Sequence, residues 1–224
     1  RMPFDDASTG GDQSRRVDPQ AAQRPGGLAH QRSLIRTGGP GHVAKAFDRV
    51  HFRKSSGGLL PSHSVATTPP ADLSLAPLGG DARPLEEWLT TFHLATIALD
   101  PYTNESSWIL ETAARILRGF RGAAVRVNFL ITCGPDEAKQ FLGPLADEFL
   151  VFCDPDRTAV KGLGLTTLPA FAFVRIDGTV PAVAEGWSPS AWRKVAEEIA
   201  STTAWSKPTI PAANDPSSFA GTPV

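Results

Sequence analysis

Among its 224 residues the chain has two cysteines, one methionine and one tyrosine, and it contains no long apolar run. Each shortage excludes something. Cys133 and Cys153 are too few for a disulfide scaffold and do not form a Cys-x-x-Cys pair. They also have no metal-ligand spacing with the five histidines, so neither a metal nor a cofactor is expected. No stretch has the length to cross a bilayer, and the N-terminus lacks the apolar core of a secretion signal. A cytoplasmic location with no membrane partner is the expectation. The formal net charge of −1 hides ten Lys/Arg against five Asp/Glu up to residue 64, and twelve against eighteen from Val65 onward. No basic stripe with interleaved aromatics accompanies that excess, so a nucleic-acid partner is not expected.

What is present supports one ordinary core with additional segments, since 41% of residues are hydrophobic and 20% charged. Residues 1–70 are rich in Gly, Pro, Ser, Gln and Arg, with only brief apolar clusters such as Leu34-Ile35 and Leu59-Leu60. Such a segment cannot bury enough to offset its chain entropy. It reads as a disordered extension or as non-native sequence, with Val65 as a start residue in the second case. Residues 71–200 carry the pattern of a folded domain. Residues 201–224 form a Pro-, Ser- and Ala-rich extended tail whose Trp205, Ile210 and Phe219 predict that it wraps back on the domain.

The unit around which the domain is organised runs from Leu94 to Phe120. Leu94 to Leu99 is a buried strand ended by Asp100-Pro101, and Ile109, Ala113, Ile116, Leu117 and Phe120 recur at helical spacing. A strand feeding a helix this directly belongs to an α/β fold. The polar loop between them, Tyr102 to Ser107, delivers side chains to a helix N-terminus, where unpaired N–H groups favour anions and thiolates. Before this unit, Pro84, Leu85, Trp88 and Leu89 predict a short helix reaching Thr91. His93, just ahead of the strand, reads as a boundary residue rather than a ligand, and the other four histidines fall in the irregular N-terminal part.

After it, Ala123 to Thr132 reads as a central strand. A helix opened by Gly134-Pro135-Asp136 follows and breaks at Gly143-Pro144. Phe149 to Cys153 is another short strand, and Asp154-Pro155 supplies a cap and first-turn proline for a helix through Leu163. Ala170 to Ile176 and Thr179 to Gly186 predict a β-hairpin around a two-residue Asp177-Gly178 turn, with Pro181 marking an edge strand. Ser188 and Pro189 cap a last helix with Trp192, Val195, Ala196 and Ile199 inward.

This order resembles the thioredoxin fold over Pro84 to Ala200, with the additional helix and strand of peroxiredoxins and bacterial cytochrome-maturation thioredoxins. The most specific stretches are DPDRTAVKGLGLTTLPAFAFVRIDG, similar to the family's approach to its cis-proline and hairpin, and EGWSPSAW at the entry to the last helix. Pro70 to Val224 as a whole also resembles small bacterial thioredoxin-like proteins without an assigned activity. The resemblance implies a central mixed sheet flanked by helices, with a cis Leu168-Pro169 bond facing the helix-start loop. It also implies that Leu168's backbone is exposed to pair with an extended peptide, and that a shallow groove lies between the two.

The four redox positions of active members fall at Asn104, Glu105, Ser106 and Ser107, and their buried acid near Ala98. A serine hydroxyl is not appreciably ionised at neutral pH and forms no reversible S–S bond, so dithiol exchange is not expected. The implied function is a non-catalytic domain that binds a peptide or protein through Tyr102, Asn104, Glu105, Ser106, Ser107, Trp108, Leu168 and Pro169. Two alternatives stand beside it. In one, Tyr102, Ser106 or Ser107 stabilises the thiolate of a bound small thiol, as the hydroxyl of glutathione transferases does; the serines otherwise read as helix N-caps. In the other, Cys133 and Cys153 end neighbouring strands at one sheet edge and form a redox sensor; they otherwise read as inert buried thiols.

Overall fold

Strand β3 (His93–Leu99) lies in the interior of a seven-stranded sheet, where all but its first residue is buried and side chains alternate between two cores. A computed structural model describes residues 67–224. Around β3 are β1 (Ser74–Pro77), β2 (Arg83–Pro84), β4 (Val125–Ile131), β5 (Leu150–Cys153), β7 (Ala170–Val174) and β8 (Ala182–Glu185). Their order is β2-β1-β5-β4-β3-β7-β8, with β3, β4 and β5 mutually parallel and the remainder antiparallel. A separate two-stranded ladder joins β6 (Thr167–Leu168) to β9 (Thr222–Pro223).

The period-2 pattern divides the core. Ala95, Ile97, Leu99, Phe129, Ile131, Phe171 and Phe173 face one side, under α2 (Asn104–Arg118), α3 (Pro135–Leu142) and α6 (Pro189–Thr203). Leu94, Ala98, Leu130, Phe152, Ala170, Ala172 and Val174 face the other, under the single-turn α1 (Leu85–Trp88) and α5 (Thr158–Gly162). Helix α4 (Leu145–Glu148) follows α3 after Gly143, whose φ of 52° ends the first helix where Gly143-Pro144 predicted a break. Among the described residues no helix is long and apolar enough to cross a membrane.

Several local expectations are corrected. The domain starts earlier than residue 71: Thr67 exchanges two backbone hydrogen bonds with Val180, and Leu73 and Leu75 are buried ahead of the first predicted element. Of the expected extension over residues 1–70, residues 1–66 lie outside the described residues. Helix α1 stops at Trp88, short of Thr91. The hairpin closes on Arg175 and Thr179 around three residues, Ile176 to Gly178, because Gly178 takes the left-handed conformation and Asp177 accepts the Thr179 N–H and hydroxyl. Asp154 acts on the start of α5 by accepting the N–H groups of Ala159 and Val160. Ser188 stands at the capping position of α6 ahead of Pro189, as predicted, but its hydroxyl meets that of Ser190 at 3.1 Å instead of a helix N–H.

Candidate functional site

The antiparallel register between β3 and β7 pairs Ala98 with Ala170. The ladder ends there: β3 runs on through Leu99 into Asp100 and the loop that leads into α2, and Leu168 and Pro169 precede Ala170 on the other strand. The Leu168–Pro169 peptide is cis. Leu168 is buried and its strand, β6, is pinned from behind: the Glu185 carboxylate accepts the N–H groups of Thr166 and Thr167 and the Thr166 hydroxyl.

Asp100 organises the loop opposite. Its Oδ1 accepts the Tyr102 N–H at 3.0 Å, and its Oδ2 takes a 2.7 Å ion pair from Arg157, which stands at φ 57° before α5. The Asp100 N–H in turn donates to Ser106 Oγ at 2.9 Å, and the Thr103 hydroxyl lies 3.0 Å from the same oxygen. Ser106 is fully buried. Neither serine is an N-cap, because α2 already begins at Asn104 and its capping position, Thr103, makes no side-chain cap bond. Ser106 instead pins the helix start to the end of β3, so its hydroxyl has no exposed face to offer a bound thiol. Asn104, Ser107, Trp108 and Tyr102 are exposed and Glu105 is half-buried. The Tyr102 phenol is raised above its ordinary pKa, first by the neighbouring Glu137 carboxylate.

The edge of Leu168 is not open: Thr222 pairs with Leu168, Pro223 with Thr167, and the Val224 N–H donates to the Thr166 carbonyl at 2.9 Å. Phe219 exchanges two backbone hydrogen bonds with Trp187, at 2.9 and 3.0 Å, and its ring meets that of Trp108 edge-on at 5.7 Å. Upstream, Asp215 is clamped by Arg115 at 2.8 Å and by the Thr112 hydroxyl at 2.9 Å, and Trp187 Nε1 donates to the Pro216 carbonyl. Ile210 is buried in the core. The sequence suggested that the tail folds back, but carried no signal for where it pairs. Asp100, Arg157, Glu185, Trp187 and Gly221 were likewise not picked out as site residues.

The cysteines occupy one end of the sheet, as their strands predicted. Ile131 pairs with Cys153, and Cys133 lies two residues beyond Ile131. Both thiols are free, and Cys133 is 2% exposed. Burial, then Glu137 and Cys153, pushes the Cys133 pKa from the ordinary 9.0 up to about 12. Burial also raises Cys153, against the pull of Lys139. The thiolate is the reactive form, so both are poor nucleophiles at neutral pH. A linkage follows. The unfolded chain releases the Cys133 proton first, so stability is unaffected by this thiol below about pH 9 and falls as pH rises toward about 12. Urea unfolding at about pH 8 and about pH 11 should show this loss, reduced in Cys133→Ala. An identical alkaline loss in the variant would assign it to other groups.

The mixed sheet flanked by helices and the cis Leu168–Pro169 peptide give the chain a thioredoxin-like fold. A hypothetical protein from Sinorhizobium meliloti superposes with a TM-score of 0.50 at 16% identity, covering 71% of this chain and 93% of its own. A provisionally assigned thiol:disulfide interchange protein DsbE from Chlorobium tepidum gives 0.50 at 16%, covering 62% and 96%. A provisionally assigned thioredoxin from Neisseria meningitidis gives 0.50 at 16%, covering 61% and 90%. These likenesses are of fold. No family model matches the sequence, and no curated protein matches it.

Proposed function

We propose that this chain is a non-catalytic thioredoxin-like domain that binds an extended polypeptide by adding it as a strand to Thr167–Leu168. The observation that carries the reading is the β6–β9 ladder: this short edge accepts an antiparallel strand, supplied here by the chain's own tail. Strand addition draws affinity from main-chain hydrogen bonds and selectivity from the side-chain seats alongside them. Those seats are Trp108 and Ser107 on α2, with Tyr102, Asn104 and Glu105 in and beside the loop.

The absence of cysteine from Asn104–Ser107 and the raised pKa values of Cys133 and Cys153 support binding over thiol exchange. A cytoplasmic setting belongs to the same proposal, since two free, unpaired thiols suit a reducing compartment. The test is selection of random extended peptides on the full chain carrying Gly221→Val, which frees the edge, followed by amide-resonance mapping. Selected peptides should perturb Thr166, Thr167, Leu168 and Trp108. Binders that leave all four unperturbed overturn the reading. Saturable binding of a small thiol, lost in Ser107→Ala or Tyr102→Phe, would instead favour a thiol-dependent transferase.

A further inference from the structure

The tail seated on β6 shows what kind of segment this edge accepts, because the contacts along it are unequal. Phe219 is read twice. Its backbone forms a closely spaced antiparallel pair with Trp187, and its ring packs edge-on against Trp108, which stays 58% exposed. Ala220 is exposed, so the position after the aromatic is unread.

Gly221 is read by exclusion. A Cβ there would lie 2.4 Å from the Leu168 carbonyl oxygen and 2.6 Å from Thr167 Cγ2. The main chain passes too close to Leu168 for any side chain, and the obstacle is backbone, which cannot rotate away. The opposite wall is equally tight: Gly186, at φ 62°, would place a Cβ 2.8 Å from the Gly221 nitrogen and 2.9 Å from the Phe219 oxygen. Two glycines therefore let two backbones touch. Beyond them Thr222 and Pro223 extend the ladder, half-buried and exposed respectively.

We propose that the groove selects an extended segment in which an aromatic residue is followed two positions later by glycine, and that Phe219-Ala220-Gly221 is the intramolecular version of that ligand. The proposal rests on the strand-addition reading and adds the identity of the bound sequence. Replacement of the tail is physically reasonable because no residue from Ser217 to Val224 is buried, and segments with few buried contacts open locally at low cost. The tether also gives the tail a high effective concentration, so a partner in solution competes poorly until the tail is weakened.

The experiment uses the full chain with Gly221→Val, and separately with Asp215→Ala, which removes the Arg115 clamp. Amide exchange at Trp187 and Phe219 reports opening, since each donates to the other when the tail is seated. The probe is a labelled peptide of residues Pro216 to Val224. It should bind the opened chains saturably, restore protection at the Trp187 amide, and bind the unaltered chain far more weakly. Peptides carrying Phe219→Ala or Gly221→Val should bind roughly tenfold or more weakly, the size expected for losing an aromatic pair or forcing a clash. Equal binding of these and a scrambled peptide would overturn the sequence preference while leaving strand addition standing. Opened chains that bind no peptide would remove both. A Trp187 amide that stays protected in both variants would make the tail a permanent part of the fold and end the proposal.

Discussion

Trp187→Ala is expected to destabilise the domain by about 3–5 kcal/mol, the range for truncating a large buried aromatic. Trp187 is fully buried, packs edge-on against Trp192 with ring centroids 5.1 Å apart, and donates Nε1–H to the Pro216 carbonyl at 2.8 Å. Alanine leaves a cavity beside Trp192 and strands that carbonyl. Trp187→Phe should cost less, because it keeps most of the apolar area and loses mainly the hydrogen bond, worth about 0.5–1.5 kcal/mol. Gly221→Val makes the informative contrast. It acts on a segment with no buried residue, so it should release the tail with little change in global stability. Urea unfolding monitored by far-UV circular dichroism separates these effects. A loss below about 1 kcal/mol for Trp187→Ala, the size of many ordinary substitutions, would mean that the core closes over the gap.

The sequence carried this fold where local pattern and tertiary demand coincide. Ile97, Leu99, Phe129 and Ile131 alternate with residues facing the opposite core, so both their strands were legible. The run into Leu168-Pro169 and the EGWSPSAW entry placed the hairpin and α6. Strand β1 was missed because SLAP offers one buried residue, Leu75, and its identity as a strand comes from pairing Ala76 with Cys153, far along the chain. Ser106 misled for a chemical reason. A serine ahead of an apolar helical run reads the same whether its oxygen caps that helix or accepts an N–H from the preceding strand, as it does from Asp100. The groove's occupant was the least legible feature. Its pairing partners, Leu168 and Thr222, are distant in sequence, and the tail around Thr222 has neither strand period nor β-rich composition. Only the missing side chain at Gly221 marks the close approach, and a glycine in a Pro/Ser-rich tail looks like any other.

Installing the absent dithiol should give this chain disulfide-reductase activity. Asn104 is the first residue of α2 and Ser107 lies one turn on, and both are exposed, so Asn104→Cys with Ser107→Cys places two thiols on the first helical turn without disturbing buried Ser106. A thiol at position 104 faces the unpaired N–H groups of a 15-residue helix, which favour the thiolate and lower its pKa. It attacks a substrate disulfide, forming a mixed disulfide and releasing one substrate thiolate; the thiol at 107 then displaces the second and leaves the pair oxidised, to be reduced again by dithiothreitol. The unaltered chain should show only the background rate with dithiothreitol. The second step should be the slow one, because the resemblance puts the buried acid of active members near Ala98, which has no carboxylate to take the resolving thiol's proton, so the mixed disulfide should accumulate and be detectable by mass. Adding Gly221→Val should raise the rate further, since the seated tail occupies the outer edge of Leu168 where an extended substrate would lie. If the new pair oxidises but the double variant reduces no substrate even with the tail released, the edge at Thr167–Leu168 does not present substrate to this helix start. If the pair does not oxidise at all, residues 104 and 107 are not the redox positions of this fold.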